Sequence, residues 1–183
     1  MVKTKSNPTN LAQEVEILSL RPALAELERL VVWVYSRRSG GRVDGALPVT
    51  VSIQTRGPRR NLCGLFTSSR WETREGVTSH DLMLTAEQLS RPVMDILQTV
   101  VHETGHLYDF DNNIDDCSKG GRHNLEYAET AKQFGLIVEQ DGPGGWRNTK
   151  LGPELTKLIE DDFKPDYEAL SLFMRVRPTT PKG

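Results

Sequence analysis

The segment His102-Glu103-Thr104-Gly105-His106 has the pattern HExxH, and it constrains the fold more than any other part of the chain. On an α-helix, residues four positions apart lie one turn apart on the same face, so both imidazoles can reach one metal ion. The apolar residues that precede the segment repeat at helical spacing: Val93, Ile96, Leu97, Val100 and Val101. We therefore predict that a buried amphipathic helix from Pro92 to about Tyr108 carries both histidines.

This motif is suited to zinc chemistry. Neutral imidazole nitrogens are good zinc ligands, and Glu103 beside the first of them can take a proton from a zinc-activated water. A catalytic zinc site also needs a third protein ligand and one open position. The extended pattern HExxHxxGxxH is excluded because Asp109 and Asn112 stand where it requires glycine and histidine. Two candidates for the third ligand stay open on this reasoning, His123 and Glu126.

The region around the motif resembles a known family. The stretch from Leu89 to His106 is similar to the catalytic helix of SprT-like metallopeptidases. The similarity continues through Gly120-Gly121-Arg122-His123-Asn124 and the next helix to Gly135-Leu136. Gly145-Trp146 followed by Thr149 also resembles short members of that family. Together these matches cover about residues 78–151.

The resemblance implies an activity and a site. It implies one Zn²⁺ per chain held by His102, His106 and His123, with Glu103 as the general base of peptide-bond hydrolysis. The expected substrate is a protein or peptide. Some family members degrade proteins crosslinked to DNA, so DNA-associated substrates and a repair role are included in the prediction. Two features depart from the larger members: two cysteines cannot build a C-terminal zinc ribbon, and no long basic tail is present.

The order of the predicted elements indicates an α+β fold of zincin-like type. We expect Val49–Ile53 and Leu62–Ser68 to form a hairpin, Thr78–Leu84 to add a third strand, and Asn124–Phe134 to be a helix. The resulting small antiparallel sheet should pack against the HExxH helix and flanking helices.

The length of the chain predicts one domain. We expect residues 1–183 to form it, with a catalytic core at about 47–151 and flexible ends at 1–9 and 178–183.

Further polar side chains are candidates for the same site. Tyr108 and Tyr127 could donate a hydrogen bond to a tetrahedral oxyanion. Asp109 and Asp111 could orient a ligand histidine through its second ring nitrogen.

A separate group of candidates is basic. The first 60 residues hold ten lysines or arginines against five acidic residues, although the whole chain has a net charge of −2. The arginines that could contact nucleic acid lie in two clusters: Arg37, Arg38 and Arg42, then Arg56, Arg59 and Arg60. DNA is therefore a candidate partner.

The composition of the chain predicts its cellular compartment. No apolar run is long enough to span a bilayer, and two cysteines are compatible with a reducing cytoplasm, so we expect a cytoplasmic protein with no membrane partner.

Two alternative functions stay open. One is that of a metallopeptidase that cleaves transcriptional repressors, for which Glu126 would be the third ligand. The other is a non-catalytic, zinc-stabilised module that binds nucleic acid through the arginine clusters.

Overall fold

The computed structural model describes residues 18–38, 40, 48–56 and 61–175, which form a mixed α+β structure. The ends predicted to be flexible, 1–9 and 178–183, lie outside the described residues. The helices are α1 (Arg21–Arg38), α2 (Val93–Asp111), α3 (Leu125–Gln133) and α4 (Pro153–Leu158), and α4 runs into a π-helical turn at Ile159–Phe163. The strands are β1 (Val49–Gln54), β2 (Gly64–Glu72), β3 (Thr78–Thr85), β4 (Cys117–Ser118), β5 (Arg122–His123), β6 (Leu136–Asp141) and β7 (Gly145–Leu151).

Helix α2 runs through the middle of the hydrophobic core. It begins after Pro92, whose backbone is still extended, and it continues about one turn beyond the predicted end. Leu97, Val100 and Val101 are completely buried, and they pack with apolar residues of α1 and β3 in one core cluster. The opposite side of α2 therefore stays available for the polar residues of the motif.

The first sheet has the strand order β1-β3-β2, and the predicted hairpin and all-antiparallel sheet are wrong. Strand β1 pairs parallel with β3, and β2 pairs antiparallel with β3. The reason is burial: Leu82, Met83 and Leu84 of β3 are at most 1% exposed, so β3 takes the central position that is covered on both faces. Strand β2 is consequently an edge strand beside α2.

A second small sheet, which the sequence pattern did not reveal, has the order β4-β5-β7-β6. Strand β5 joins β7 through a parallel bridge between His123 and Gly145. His123 ends β5, and Asn124, where the predicted helix begins, is the N-cap of α3. The Asn124 side chain accepts a hydrogen bond from the Tyr127 backbone N–H at 3.1 Å, which stops the helix from starting earlier.

Within the described ranges, every helix is too short or too polar to cross a lipid bilayer.

Candidate metal centre

Three histidine side chains converge between α2 and the second sheet. The Nε2 atom of His123 lies 3.2 Å from Nε2 of His102 and 2.9 Å from Nε2 of His106. Helix α2 supplies His102 and His106 one turn apart, as the motif predicts, and β5 supplies His123 from the facing wall. These three rings form one of the two clusters of potential metal ligands among the described residues. Glu126 is exposed on the first turn of α3 and is not part of either cluster.

The outer nitrogens of two of these rings are held by neighbouring side chains. Nδ1 of His106 donates to the carboxylate of Asp116, and Nδ1 of His102 lies 3.0 Å from the Thr149 hydroxyl oxygen. Because Asp116 accepts the Nδ1 proton, the Nε2 atom of neutral His106 carries its lone pair toward the other rings. Zinc-ligating histidines typically have this second hydrogen bond to a carboxylate or another oxygen.

Converging lone pairs need a proton or a cation between them. The outer nitrogen of the third ring, Nδ1 of His123, is buried and has no hydrogen-bond partner among the described residues. Three imidazole nitrogens with an open side on a cleft form the ligand set that catalytic Zn²⁺ prefers. The residues present therefore fit a zinc ion.

Burial lowers the pKa of two of these rings, His102 and His123. It lowers the pKa of His102 well below the usual range, and the nearby His106 and His123 lower it further. Burial and the proximity of His106 likewise lower the pKa of His123 to about 4. Burial alone would raise the pKa of Asp116, but the hydrogen bond from His106 and the electrostatic attraction to that side chain outweigh it and lower the pKa. The His102 and His123 rings are thus available as ligands at neutral pH, and Asp116 is ionised.

The carboxyl group of Glu103 is buried between α2 and the edge strand β2. Burial raises its pKa to about 7, although a hydrogen bond from the Phe66 backbone N–H opposes that rise. The strand can approach this closely because residue 64 is glycine. A Cβ atom at Gly64 would lie 2.7 Å from the Glu103 Oε1 atom and 2.8 Å from its Cγ atom. The sequence analysis missed Gly64, for which a glycine within a strand pattern was the available signal.

The Tyr127 side chain packs against the three histidines. Its ring is completely buried and stacks on the His106 ring, with centroids 4.3 Å apart and planes 20° apart. Its hydroxyl donates to the backbone carbonyl of His102 at 3.3 Å. The ring also contacts the His123 ring, at a centroid distance of 4.6 Å. Tyr127 is therefore placed to hold the imidazoles, and its hydroxyl is not placed to contact a substrate in the cleft.

The structure does not bring the other predicted polar residues to the cleft. Tyr108 packs edge-on against Phe134 in the core, because it projects from the opposite side of α2. Asp109 is buried and accepts a hydrogen bond from the Thr130 hydroxyl, and burial raises its pKa to about 6. Asp111 accepts from the Tyr35 hydroxyl at 2.8 Å. Neither aspartate orients a ligand histidine; Asp116, which the sequence analysis did not single out, does so.

The arginine clusters are only partly described. Arg42, Arg59 and Arg60 lie outside the described residues. Arg37 forms an ion pair with Asp162 at 3.2 Å, and the guanidinium of Arg38 lies over the Tyr108 ring at 5.2 Å from its centroid. For Arg56, the backbone N–H donates to Glu87, and the side-chain Nε atom is buried. The three described arginines therefore do not form one open basic patch.

The histidines open onto a cleft of about 1190 Å³. One wall is the start of β2 with the segment before it, another is α2, and the third is the loop before β4 together with β7. Glu103 lines this cleft beside His102 and His106, so a proton acceptor and the candidate ligands face the same space. Comparisons with protein-family models, with characterised proteins and with solved structures gave no match to this chain.

Proposed function

We propose that this chain is a zinc-dependent metallopeptidase of SprT-like type with a zincin-like arrangement of its catalytic helix. The observation that carries the proposal is the convergence of three imidazole Nε2 atoms beside a buried glutamate on one cleft. A purely structural zinc site is usually closed by four protein ligands and does not require a carboxyl group at its edge. Three ligands and an adjacent carboxyl group instead correspond to the composition of a hydrolytic site.

In this proposal His102, His106 and His123 hold the ion, and Asp116 and Thr149 fix the orientation of two of these rings. Zn²⁺ bound there would supply the Lewis acidity that polarises a peptide carbonyl and lowers the pKa of water toward neutrality. The Glu103 carboxylate accepts the proton of the attacking water and then delivers it to the nitrogen of the leaving amine.

The substrate class in this proposal is a protein or peptide. The residues of α2 that line the cleft extend from Gln98 to Phe110, which suits an extended chain more than a small enclosed ligand. A role on DNA-associated proteins, including repair of DNA–protein crosslinks, stays a prediction from the family resemblance. Its natural test is whether DNA changes the rate of peptide hydrolysis.

The direct test of this proposal is the Glu103→Gln variant. We expect hydrolysis of an unstructured protein such as casein to fall by about 10²- to 10⁴-fold, because the amide cannot accept the proton. Bound zinc should stay unchanged, because Glu103 is not a ligand. Glu129→Gln is the matched control, since Glu129 is exposed on α3 and should retain full activity. Equal activity of Glu103→Gln and the wild type would refute the proposal.

A further inference from the structure

We propose that the cleft selects peptides by two features on opposite sides of the metal centre: a large apolar side chain at one end and a carboxylate at the other. This inference rests on the proposed function and specifies its substrate class. The apolar end is formed by Phe66, Phe110 and Ile114, which we call the aromatic subsite. The charged end is formed by Arg91. All four residues line the same cleft as the histidines.

The aromatic subsite lies one helical turn beyond His106. Phe110 follows His106 at the i+4 position of α2, and its side chain is 46% exposed although it belongs to a ring cluster. Its ring centroid lies 6.0 Å from that of Phe66 and 4.9 Å from that of His80, so packing against these two rings restricts its movement. A fixed, half-exposed aromatic surface inside a catalytic cleft gains free energy when an apolar side chain covers it.

Arg91 lies at the other end, before α2 begins. Its guanidinium donates from Nε to the Gln88 carbonyl and from Nη2 to the Thr99 hydroxyl at 2.9 Å. These bonds fix the group without neutralising it, and no carboxylate of the described residues lies within ion-pair distance of it. The other cations lining the cleft differ, because Arg147 is paired with Asp141 and Lys150 with Glu139. Arg91 is thus the cleft cation whose charge a substrate carboxylate can best use.

The distance between the aromatic subsite and Arg91 determines how far apart the two selected residues of the peptide lie. Thr99, which holds Arg91, and Phe110 are eleven positions apart on α2, which corresponds to about 16 Å along the helix axis. An extended chain covers that length in about five residues. His102 and His106 lie between these two positions, so the scissile bond would lie between the selected residues. The inferred substrate is therefore an extended segment with a large apolar residue and an acidic residue about five positions apart.

Binding to the Glu103→Gln protein tests this inference without turnover. The probe is a fluorescent decapeptide that carries phenylalanine and glutamate five positions apart among alanines and serines, made in both chain orders. For the better-binding order, we expect replacement of its phenylalanine by alanine to weaken binding about tenfold. We expect replacement of its glutamate by glutamine to weaken binding about fivefold. Affinity is measured by fluorescence anisotropy.

Substitutions in the protein show which of its residues causes each binding preference. Phe110→Ala should remove the preference for phenylalanine, whereas Leu125→Ala, which changes an exposed apolar residue of α3 outside the cleft, should not. Arg91→Gln should remove the preference for glutamate, whereas Lys150→Gln, which changes a paired cation of the same cleft, should not. Phe110→Ser and Arg91→Met, which likewise remove the aromatic ring and the positive charge, replace any variant whose thermal unfolding shows that it does not fold.

The outcomes separate this inference from the proposed function. Equal affinity for all decapeptides, or preferences that survive both substitutions, would overturn the inference. Cleavage of peptides by the wild-type protein without these preferences would overturn it as well, while leaving the proposed hydrolysis intact. Selective binding with no Glu103-dependent cleavage would support the inference and refute the proposed function alone.

Discussion

Individual side chains of the candidate metal centre depend on partners that are distant in sequence. His106 is oriented by Asp116 and His102 by Thr149, which lie 10 and 47 positions away along the chain. The motif predicts which residues can bind an ion, because helical spacing alone places two imidazoles on one face. It does not predict which side chains form hydrogen bonds with the Nδ1 atoms of these imidazoles. Asp109 and Asp111, the nearest acidic residues, were expected to fill that role, but they bond to Thr130 and Tyr35 instead.

The role of Asp116 leads to a prediction at this scale. We expect Asp116→Asn to weaken zinc binding about 10- to 100-fold, because the amide cannot fix the His106 tautomer as a carboxylate does. The measurement is a competition titration against a chelator of known affinity. Asp115→Asn is the matched control, since Asp115 also lines the cleft but its side chain does not contact a ligand ring. If the two variants bind zinc equally well, Asp116 does not have the role assigned here.

At the scale of elements, the close contact between α2 and β2 determines the position of Glu103. The sequence predicts both elements, yet it misplaces the pairing of β2. A turn between two strand-like segments favours a hairpin as the nearest arrangement, whereas burial of β3 on both faces decides the actual order. Tertiary burial of this kind is not visible in local periodicity. The second sheet escaped prediction for a related reason: β4 and β5 are two residues long, too short for any alternation to show.

Alanine substitutions at two glycines test the close contact between α2 and β2. We expect Gly64→Ala to destabilise the protein by about 1–3 kcal/mol and to reduce hydrolysis, because its Cβ atom would press on Glu103 and on Thr99, whose Cγ2 atom lies 2.8 Å away. Gly105→Ala is the matched control within α2. Its Cβ atom would meet the Tyr127 ring at an ordinary 3.5 Å, so the variant should be as stable as the wild type or up to ~1 kcal/mol more stable.

Chemical denaturation and peptide hydrolysis measure these effects. A Gly64→Ala protein with wild-type stability and activity would show that β2 does not constrain Glu103. The same assays applied to Gly105→Ala establish whether any loss is specific to the glycine that faces the carboxyl group.

For the whole molecule, the candidate site lies between two parts of the chain that fold as separate sheets. Helix α2, which packs against the first sheet, provides His102, His106 and Glu103, and the second sheet provides His123 and Thr149. The α+β class, the helix that carries the HExxH motif and the grouping of the three histidines could be predicted from the sequence, because each depends on local spacing or on a resemblance carried by local motifs. The walls of the cleft could not, because they arise from packing between segments far apart in the chain.

The central claim is that three histidines, one of them from the second sheet, bind one zinc ion. The most direct test is elemental analysis of zinc in the purified wild-type protein, in His123→Ala and in Glu126→Ala. We predict one zinc per chain in the wild type and in Glu126→Ala, and its loss from His123→Ala. Absence of zinc from the wild type after reconstitution, or its retention by His123→Ala with loss from Glu126→Ala, would contradict the account.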